Sequence, residues 1–161
     1  MTLIKSISGI RGTIGGSVDE GLTPLDVVKF TSAFGSWIIK RNNGARCKIV
    51  IGRDARISGE MVTKLVVGAL QGLGIDVVDL DLSTTPTVEV AVPMENAQAG
   101  IILTASHNPI QWNALKLLNE KGEFISAQDG ADVLAIAENS DYDFADVHSL
   151  GSYTKDDSYL Q

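Results

Sequence analysis

Residues 48–80 read KIVIGRDARISGEMVTKLVVGALQGLGIDVVDL, and this stretch decides the fold. Residues 48–52 form a short continuous apolar run, which predicts a β-strand buried on both faces. After a polar loop, apolar residues recur at helical spacing: Val62, Leu65, Val66, Ala69, Leu70 and Leu73. Gly74 ends this predicted helix, and residues 75–80 predict a second strand. The stretch therefore predicts a strand–helix–strand unit.

The same alternation continues on both sides of this unit. Thr23 and Pro24 predict the start of a long helix, because they supply a hydroxyl N-cap and a proline at the first helical position. Residues 83–86 predict the cap of a third helix that ends near Pro93, and residues 100–104 predict a third strand. Parallel strands need crossover connections of about this length. We therefore expect a three-layer α/β/α domain with a mostly parallel sheet.

The C-terminal third of the chain predicts a change in the sheet and then a tail. Residues 115–118 and 123–125, joined by turn residues, predict a hairpin, which would make the sheet mixed. Ser126 predicts the cap of a last helix. Residues 139–161 are polar and lack clear periodicity. We expect one domain over residues 1–140, and a linker or the truncated start of a second domain over residues 141–161.

Composition excludes several classes of protein. Thirteen Lys and Arg residues against twenty Asp and Glu residues give a formal net charge of −7, a poor match for nucleic acid or an anionic membrane surface. No apolar run approaches membrane-spanning length. The one cysteine, Cys47, allows no internal disulfide and suits a small core position, and His107 and His148 lack zinc spacing. We expect a cytoplasmic protein with no nucleic-acid or membrane partner.

Three polar loops follow the predicted strands, at residues 53–58, 83–85 and 104–113. In open α/β sheets, ligands bind beyond the carboxyl ends of the strands, so these loops form the candidate site. The third loop begins TASHNP, in which Ser106 precedes His107. Neighbouring side chains diverge in an extended chain, and the pattern G-x-S-x-G is absent, so a serine hydrolase is disfavoured.

A phosphorylated Ser106 would need cations, backbone amides or a metal around its negative charge. Arg11 and Lys116 are candidate cations, and the glycines at residues 15–16 would let amides approach a phosphate. Each cation taken alone is equally well explained as a solvated surface charge. Arg53 and Arg56 are expected to be surface charges of this kind, one of them paired with an aspartate at residue 54.

Four stretches carry a resemblance to a known family. They are SGIRG at residues 8–12, GRDARISG at 52–59, GIILTASHNP at 100–109 and NALK at 113–116. In this order they resemble the N-terminal domain of the α-D-phosphohexomutases, the family of phosphoglucomutase, phosphomannomutase and phosphoglucosamine mutase. The TASHNP stretch is highly specific to this family, whereas GRD or GIRG alone would be weak evidence for it. The resemblance extends over most of the chain.

The resemblance implies an intramolecular phosphotransferase. Phosphate would pass reversibly between the 1- and 6-hydroxyls of a hexose phosphate (phosphoglucosamine, phosphomannose or phosphoglucose) through a phosphoserine at Ser106 and a hexose 1,6-bisphosphate. It also implies Mg²⁺ bound to Ser106 through the phosphate. Lys116 and Arg11 match positions implicated in proton transfer and electrostatic support, and His107 matches a residue that supports the same site.

The resemblance also implies that this is the first domain of a four-domain enzyme. In the family the metal carboxylates come from a D-G-D-x-D-R loop of the second domain, and that motif is absent from this sequence. We therefore expect the remaining domains of its own chain as partners, and no turnover by the 161 residues alone. Two departures from the family pattern are SIS at residues 6–8, in place of a tract such as Phe-Gly-Thr, and Ala114, in place of a glycine, which is expected to alter a local turn.

Two other interpretations of the TASHNP loop stay open. In the first, the chain is a non-catalytic phosphate- or phosphosugar-binding module in which Ser106 is never phosphorylated. Alternatively, the loop is merely a capped strand end, and Ser106 has no role in a reaction.

Overall fold

The computed structural model describes residues 1–6 and 9–159. The strands are β1 Ile4–Lys5, β2 Gly9–Thr13, β3 Lys48–Arg53, β4 Asp76–Leu82, β5 Ala99–Leu103, β6 Trp112–Leu118 and β7 Tyr153–Lys155. The helices are α1 Pro24–Arg41, α2 Gly59–Gly72, α3 Thr85–Met94 and α4 Ala127–Asn139, with a 3₁₀ helix at Val147–Ser149. The predicted helices and the strands predicted at residues 48–52, 75–80 and 100–104 are confirmed, with bounds that differ by a few residues.

The strands form one seven-stranded sheet in the order β1-β2-β6-β5-β3-β4-β7. Strands β5, β3, β4 and β7 are parallel, whereas β6 is antiparallel to both β5 and β2, and β2 is antiparallel to β1. The predicted mixed sheet is confirmed. Its antiparallel part is larger than expected because β1 and β2, which have no clear signal in the sequence, extend the sheet beyond β6.

Helices cover both faces of the sheet, which confirms the three predicted layers. On one face α1, α2 and α4 enclose a core that includes Phe34, Ile51 and Leu115. On the other face α3 packs over β3 and β5, in a core that includes Val50 and Ile102. Successive residues of β3 point into opposite cores, and this explains the continuous apolar run at residues 48–52.

The helix ends follow the predicted signals. Thr23 and Ser126 begin α1 and α4 with capping boxes, in which each hydroxyl accepts a hydrogen bond from the amide three residues later. Gly74 follows the end of α2 at a φ of +85°, where a side chain would be strained. Cys47 is buried, burial raises the pKa of its thiol, and its predicted place in the core is confirmed.

The hairpin predicted at residues 115–125 is wrong in its second strand. Only an isolated bridge joins Leu118 to Phe124, and residues 123–125 form no strand. Most of β6 already has a neighbour on each edge, because β5 pairs with one edge and β2 with the other. The returning segment therefore reaches only the end of β6, where the amide of Ile125 donates to the carbonyl of Leu117 at 3.2 Å.

The polar tail contributes to the sheet although its sequence lacks periodicity. Residues 153–155 form β7, which pairs in parallel with β4 from Val77 to Asp79. Before β7, the carboxylate of Asp76 accepts hydrogen bonds from the amide and hydroxyl of Ser152, at 2.8 and 2.9 Å. The boundary at residue 140, and a linker or second domain after it, stay predictions. Within residues 1–6 and 9–159, no helix is long and apolar enough to cross a membrane.

Candidate active site

The three polar loops converge at the carboxyl ends of β3, β4 and β5, as predicted. Oγ1 of Thr104, after β5, donates a hydrogen bond of 2.6 Å to Oδ2 of Asp54, after β3. The loop after β4 lies beside the loop after β3, because the amide of Ser83 donates to the carbonyl of Arg53 at 2.8 Å. These contacts bring the TASHNP loop and the GRD loop together.

Ser106 occupies an exposed turn directly after β5, and its backbone adopts a φ of 53°. Few residues other than glycine, asparagine and aspartate adopt this left-handed conformation. Its amide donates to Oγ1 of Thr104 at 3.1 Å. Nζ of Lys116, on β6, donates to Oγ of Ser106 at 2.7 Å. The predicted nucleophile and one predicted cation are therefore in direct contact.

The register of β2 and β6 places Arg11 on the same side of the sheet as Lys116. Gly9 lies opposite Lys116, and Arg11 lies opposite Ala114. Opposed residues of antiparallel strands share a face, so Arg11 and Lys116 are diagonal neighbours, whose spacing in such pairs is roughly 7–8 Å. Ala114 lies within β6 and pairs there, so the expected alteration of a local turn is wrong. Residues 7 and 8, part of the SIS and SGIRG stretches, lie outside the described residues.

In the part of the chain that the structure describes, neither His107 nor the glycines at residues 15–16 form a hydrogen bond with the Ser106 hydroxyl. His107 is exposed in the same turn. Among the described residues, the hydrogen bond to the Ser106 hydroxyl comes from Lys116, and none joins it to His107 or Arg11. Gly15 and Gly16 have φ of +100° and +84° and line a separate surface hollow. The functional roles assigned to Arg11 and His107 stay predictions.

Arg56 is the residue of this site that the sequence did not reveal. Its side chain is only 11% exposed, and its Nε lies 3.2 Å from Oδ2 of Asp54. The expected pairing with this aspartate is confirmed, but the expectation of a solvated surface charge is wrong. The guanidinium also donates to four backbone carbonyls of the TASHNP loop and its continuation, those of Ser106, Asn108, Pro109 and Trp112. These partners are backbone atoms, so no residue type in the sequence indicates them.

Arg53 has a different partner from Arg56. Its Nη2 lies 3.0 Å from Oδ1 of Asp81 on β4, and Lys155 of β7 lies 3.1 Å from the other oxygen of that carboxylate. The hydrogen bond from Lys155 lowers the pKa of Asp81, burial opposes this effect, and attraction to Arg53 adds to it. Arg53 is only 16% exposed, so the expectation of a solvated surface charge is wrong here too.

A buried hydrogen bond between a side-chain amide and a hydroxyl joins the start of β6 to the loop before α2. Asn113 is fully buried, and its Nδ2 donates to Oγ of Ser58 at 2.9 Å. Its Oδ1 accepts from the amide of Ala114 at 2.8 Å. A buried amide needs such partners, because an unpaired polar group in the core costs stability. This pair fixes the start of β6 against the N-terminus of α2.

The site does not supply a magnesium centre from this chain alone. Mg²⁺ prefers oxygen ligands and is usually held by one or two carboxylates together with phosphate oxygens. Within residues 1–6 and 9–159, no group of three or more His, Cys, Asp or Glu side chains is arranged to bind a metal. The side chain that contacts the Ser106 hydroxyl is the cationic Lys116, and the carboxylate of Asp54 is already bonded to Thr104 and Arg56. The residues present therefore do not fit the ion without further ligands.

Ser106 lies on an open surface and not in an enclosed cavity. A hollow of about 360 Å³ lies elsewhere, lined by Lys5, Asp19, Lys29, Phe30, Leu134, Ala137 and Glu138. None of the candidate site residues lines it. A ligand at Ser106 would be enclosed only if further surface were brought over the loops.

The fold and the strand-end serine define the class: a three-layer α/β/α domain with a mixed sheet and Ser106 paired with Lys116. The family model described as phosphoglucomutase/phosphomannomutase, alpha/beta/alpha domain I, matches residues 3–143. The chain therefore belongs to the phosphoglucomutase/phosphomannomutase family, as its first domain. The resemblance inferred from the sequence is confirmed.

Curated relatives and solved structures agree with this assignment. A phosphoglucomutase/phosphomannomutase of Thermococcus kodakarensis is 35% identical over 148 residues, covering 91% of this chain and 32% of that protein. A phosphoglucosamine mutase of Streptococcus thermophilus is 38% identical over 114 residues, covering 71% of this chain and 24% of that protein. The crystal structure of a putative phosphomannomutase from Thermus thermophilus superposes with a TM-score of 0.78 at 25% identity, covering 98% of this chain and 33% of the other. The chain thus spans about a third or less of the length of these relatives.

Proposed function

We propose that this domain carries a transferable phosphoryl group on Ser106 and exchanges it with hexose phosphates. The observation that carries the proposal is the 2.7 Å contact between Nζ of Lys116 and Oγ of Ser106 on an exposed turn. An ammonium at this position offsets the negative charge of a phosphoserine and supplies a charge-assisted hydrogen bond. The names of the relatives, which are mutases of phosphoglucose, phosphomannose and phosphoglucosamine, support sugar phosphates as the substrate class.

The proposed reaction consists of two phosphoryl transfers. In the first, the Oγ–P bond of the phosphoserine breaks and an O–P bond forms to the free hydroxyl of the hexose phosphate. Oγ of Ser106 takes a proton from the ammonium of Lys116, which hydrogen-bonds to it at 2.7 Å, the neutral amine so formed takes the proton of the sugar hydroxyl, and the return transfer reverses this path. The resulting 1,6-bisphosphate reorients, and its other phosphoryl group returns to Ser106. Such transfers need alignment and charge neutralisation more than covalent help from the protein, which suits a serine on a stiff strand end.

The other predicted residues have supporting roles in this proposal. Arg11 lies on the same face as Lys116 and would add a second positive charge beside the phosphate. His107, in the same turn as Ser106, would support the site from its solvent side. Mg²⁺ belongs to the proposal as an ion held by the phosphate on Ser106 together with carboxylates from outside this chain.

The remaining domains of the polypeptide also belong to the proposal. The Ser106 surface is open, and this chain spans about a third of its relatives. We expect further domains to bind the distal phosphate and the sugar, and we expect the 161 residues alone to show no turnover. A cytoplasmic location, without nucleic-acid or membrane partners, completes the proposal.

The test compares Ser106→Ala with Ser140→Ala in the full polypeptide that carries this domain. Both serines are exposed and have a left-handed backbone conformation, with φ of 53° and 48°. The two substitutions therefore have similar effects on the backbone. We expect Ser106→Ala to abolish interconversion of glucose 1-phosphate and glucose 6-phosphate, or of the corresponding mannose or glucosamine isomers. Ser140→Ala, at the end of α4, should keep the wild-type rate.

The two other interpretations predict different outcomes of the same experiment. If the loop were only a capped strand end, Ser106→Ala would interconvert the isomers at the wild-type rate. If the domain were a non-catalytic binding module, the wild-type polypeptide would bind the sugar phosphates without interconverting them. Either outcome contradicts the proposed function.

A further inference from the structure

We infer that Arg56 is a positioning residue for Ser106: it holds the turn that presents the hydroxyl and does not itself bind the ligand. The inference rests on the proposed function of Ser106, and it extends that function to a residue outside the reacting groups. It follows from the hydrogen bonds of one guanidinium.

All five N–H donors of the Arg56 guanidinium are used within the protein. An arginine side chain has five such donors and no acceptor. Nε donates to Asp54, Nη1 donates to the carbonyls of Pro109 and Trp112 at 2.8 and 3.2 Å, and Nη2 donates to those of Ser106 and Asn108, both at 2.8 Å. No donor is left for a phosphate or a sugar. The Arg56 side chain therefore fixes the backbone of residues 106–112 through four of its carbonyls.

The carboxylate of Asp54 controls the other side of Ser106. Its Oδ2 accepts a hydrogen bond of 2.6 Å from the hydroxyl of Thr104. This bond orients a lone pair of the hydroxyl toward the amide of Ser106, which donates to it at 3.1 Å. The amide of Ser106 is thus fixed through Thr104, and its carbonyl is fixed by Arg56. Both backbone groups of the serine depend on one ion pair.

This arrangement explains how Ser106 keeps an uncommon backbone conformation. A serine at φ of 53° is held only where its surroundings determine it, and such strain is concentrated at functional sites. The positive charge of Arg56 is largely cancelled by Asp54, so the charge facing Ser106 is that of Lys116. The role of Arg56 is geometric: it keeps four carbonyl dipoles turned toward itself and Oγ aligned with Lys116.

The test is the substitution Arg56→Lys in the full polypeptide. Lysine keeps the charge but has three donors on one nitrogen, so it cannot bind four carbonyls and a carboxylate in this fork. We expect the rate of phosphoryl transfer from glucose 1,6-bisphosphate to Ser106 to fall about 100-fold, because a displacement near 1 Å costs about that much. The concentration of bisphosphate at half-maximal rate should change little, since Arg56 has no donor free for the ligand.

Arg46→Lys is the matched control. Like Arg56, Arg46 pairs with an aspartate and donates to a backbone carbonyl: its Nε and Nη2 lie 3.1 and 2.7 Å from the carboxylate of Asp76, and Nη2 donates to the carbonyl of Leu150. It precedes β3, at the end of that strand opposite to the TASHNP loop. We expect both variants to lose some thermal stability and only Arg56→Lys to lose transfer rate. Equal transfer rates in the two variants would overturn the inference.

A second pair of variants decides the matter if Arg56→Lys does not fold. Thr104→Val removes the hydroxyl that links Asp54 to the Ser106 amide and nearly preserves the shape, whereas Thr104→Ser keeps the hydroxyl. Slow transfer in the valine variant, with recovery in the serine variant, supports the inference. A valine variant that transfers at the wild-type rate overturns it. If wild-type Ser106 accepts no phosphoryl group, the proposed function fails as well, whereas loss of the positioning role alone leaves wild-type transfer intact.

Discussion

The Ser106 hydroxyl already accepts a hydrogen bond from Lys116, while the serine backbone is fixed through Thr104 and Arg56. The nucleophilic oxygen and the nearest cation are therefore aligned before a ligand arrives. Preorganisation of this kind lowers the barrier because the groups need not reorganise during phosphoryl transfer. In the proposed reaction Lys116 contributes both positive charge and proton transfer, and a substitution separates the two.

Lys116→Arg separates charge from proton transfer. Arginine keeps the positive charge but does not release its proton at accessible pH. If Lys116 takes the proton of the sugar hydroxyl, we expect kcat of the full polypeptide to fall about 10²–10⁴-fold, the usual contribution of a general base. Lys121→Arg, at the exposed turn after β6, is the control and should be unaffected. A Lys116→Arg enzyme with wild-type kcat and an unchanged pH–rate profile would show that charge alone is needed.

The residues proposed to react were easier to find in the sequence than the residue that holds their loop. Ser106 and Lys116 belong to the TASHNP and NALK stretches, so a resemblance between sequences finds them directly. The role of Arg56 was not predicted, because four of its five partners are backbone carbonyls, whose positions depend on the folded turn. The contact of Asp54 with Thr104 crosses 50 positions of sequence, and no local pattern encodes it.

At the scale of elements, α3 packs against β5 through a glycine. A Cβ on Gly100 would lie 2.7 Å from Cγ2 of Val92 on α3 and 3.2 Å from Cδ1 of Leu118 on β6. Valine is stiff at χ1, so it cannot swing its methyl groups away at low cost. The absence of a side chain at residue 100 therefore sets how closely α3 approaches the strand that leads to Ser106.

Gly100→Ala should lower the free energy of unfolding by about 1–3 kcal/mol, because overpacking in a filled core costs about that much. Gly68→Ala is the matched control. A Cβ there meets nothing within 4 Å on an exposed position of α2, so we expect stabilisation of about 0.5–1 kcal/mol from helix propensity. Urea denaturation of the chain measures both. If Gly100→Ala were as stable as the wild type, the packing described for α3 would be incorrect.

The helices were predictable because their signals are local, whereas several strands were not. Thr23, Thr84 and Ser126 cap helices within three residues of themselves, and apolar spacing marks each buried helix face. Strands β1, β2 and β7 are short, so their sequences carry little periodicity, and β2 and β7 pair with segments distant in sequence. The strand wrongly predicted at residues 123–125 also depends on a distant pairing: β2, remote in sequence, occupies most of the edge of β6 that β5 leaves open.

At the scale of the whole molecule, the tail is held to the sheet by a cluster of hydrogen bonds on Asp76. Its carboxylate accepts two from Arg46 and two from Ser152, immediately before β7. The hydrogen bond from Arg46 lowers the pKa of Asp76 well below its usual range, and burial opposes this effect. This cluster holds the segment before β7 against the start of β4.

Asp76→Asn should destabilise the chain at pH 7 by about 1 kcal/mol, the scale of a hydrogen bond to a charged group that is partly exposed. Because the folded-state pKa is depressed, the stabilisation is present above the unfolded pKa of about 4 and is lost as the pH falls below it. The difference between wild type and variant in urea denaturation should therefore narrow from pH 7 to pH 3. Asp141→Asn, which breaks an exposed pair with Lys40, is the control and should have little effect at either pH. A difference that stayed constant with pH would contradict this role for Asp76.

Mass spectrometry of the full polypeptide after incubation with glucose 1,6-bisphosphate, with fragmentation to locate any added phosphoryl group, shows directly whether Ser106 carries the transferred group. We predict one phosphoryl group on Ser106, its removal when glucose 6-phosphate is added, and no gain in the Ser106→Ala variant. A wild-type protein that interconverts the sugar phosphates while Ser106 stays unmodified, or that gains its phosphoryl group at another residue, would contradict the account.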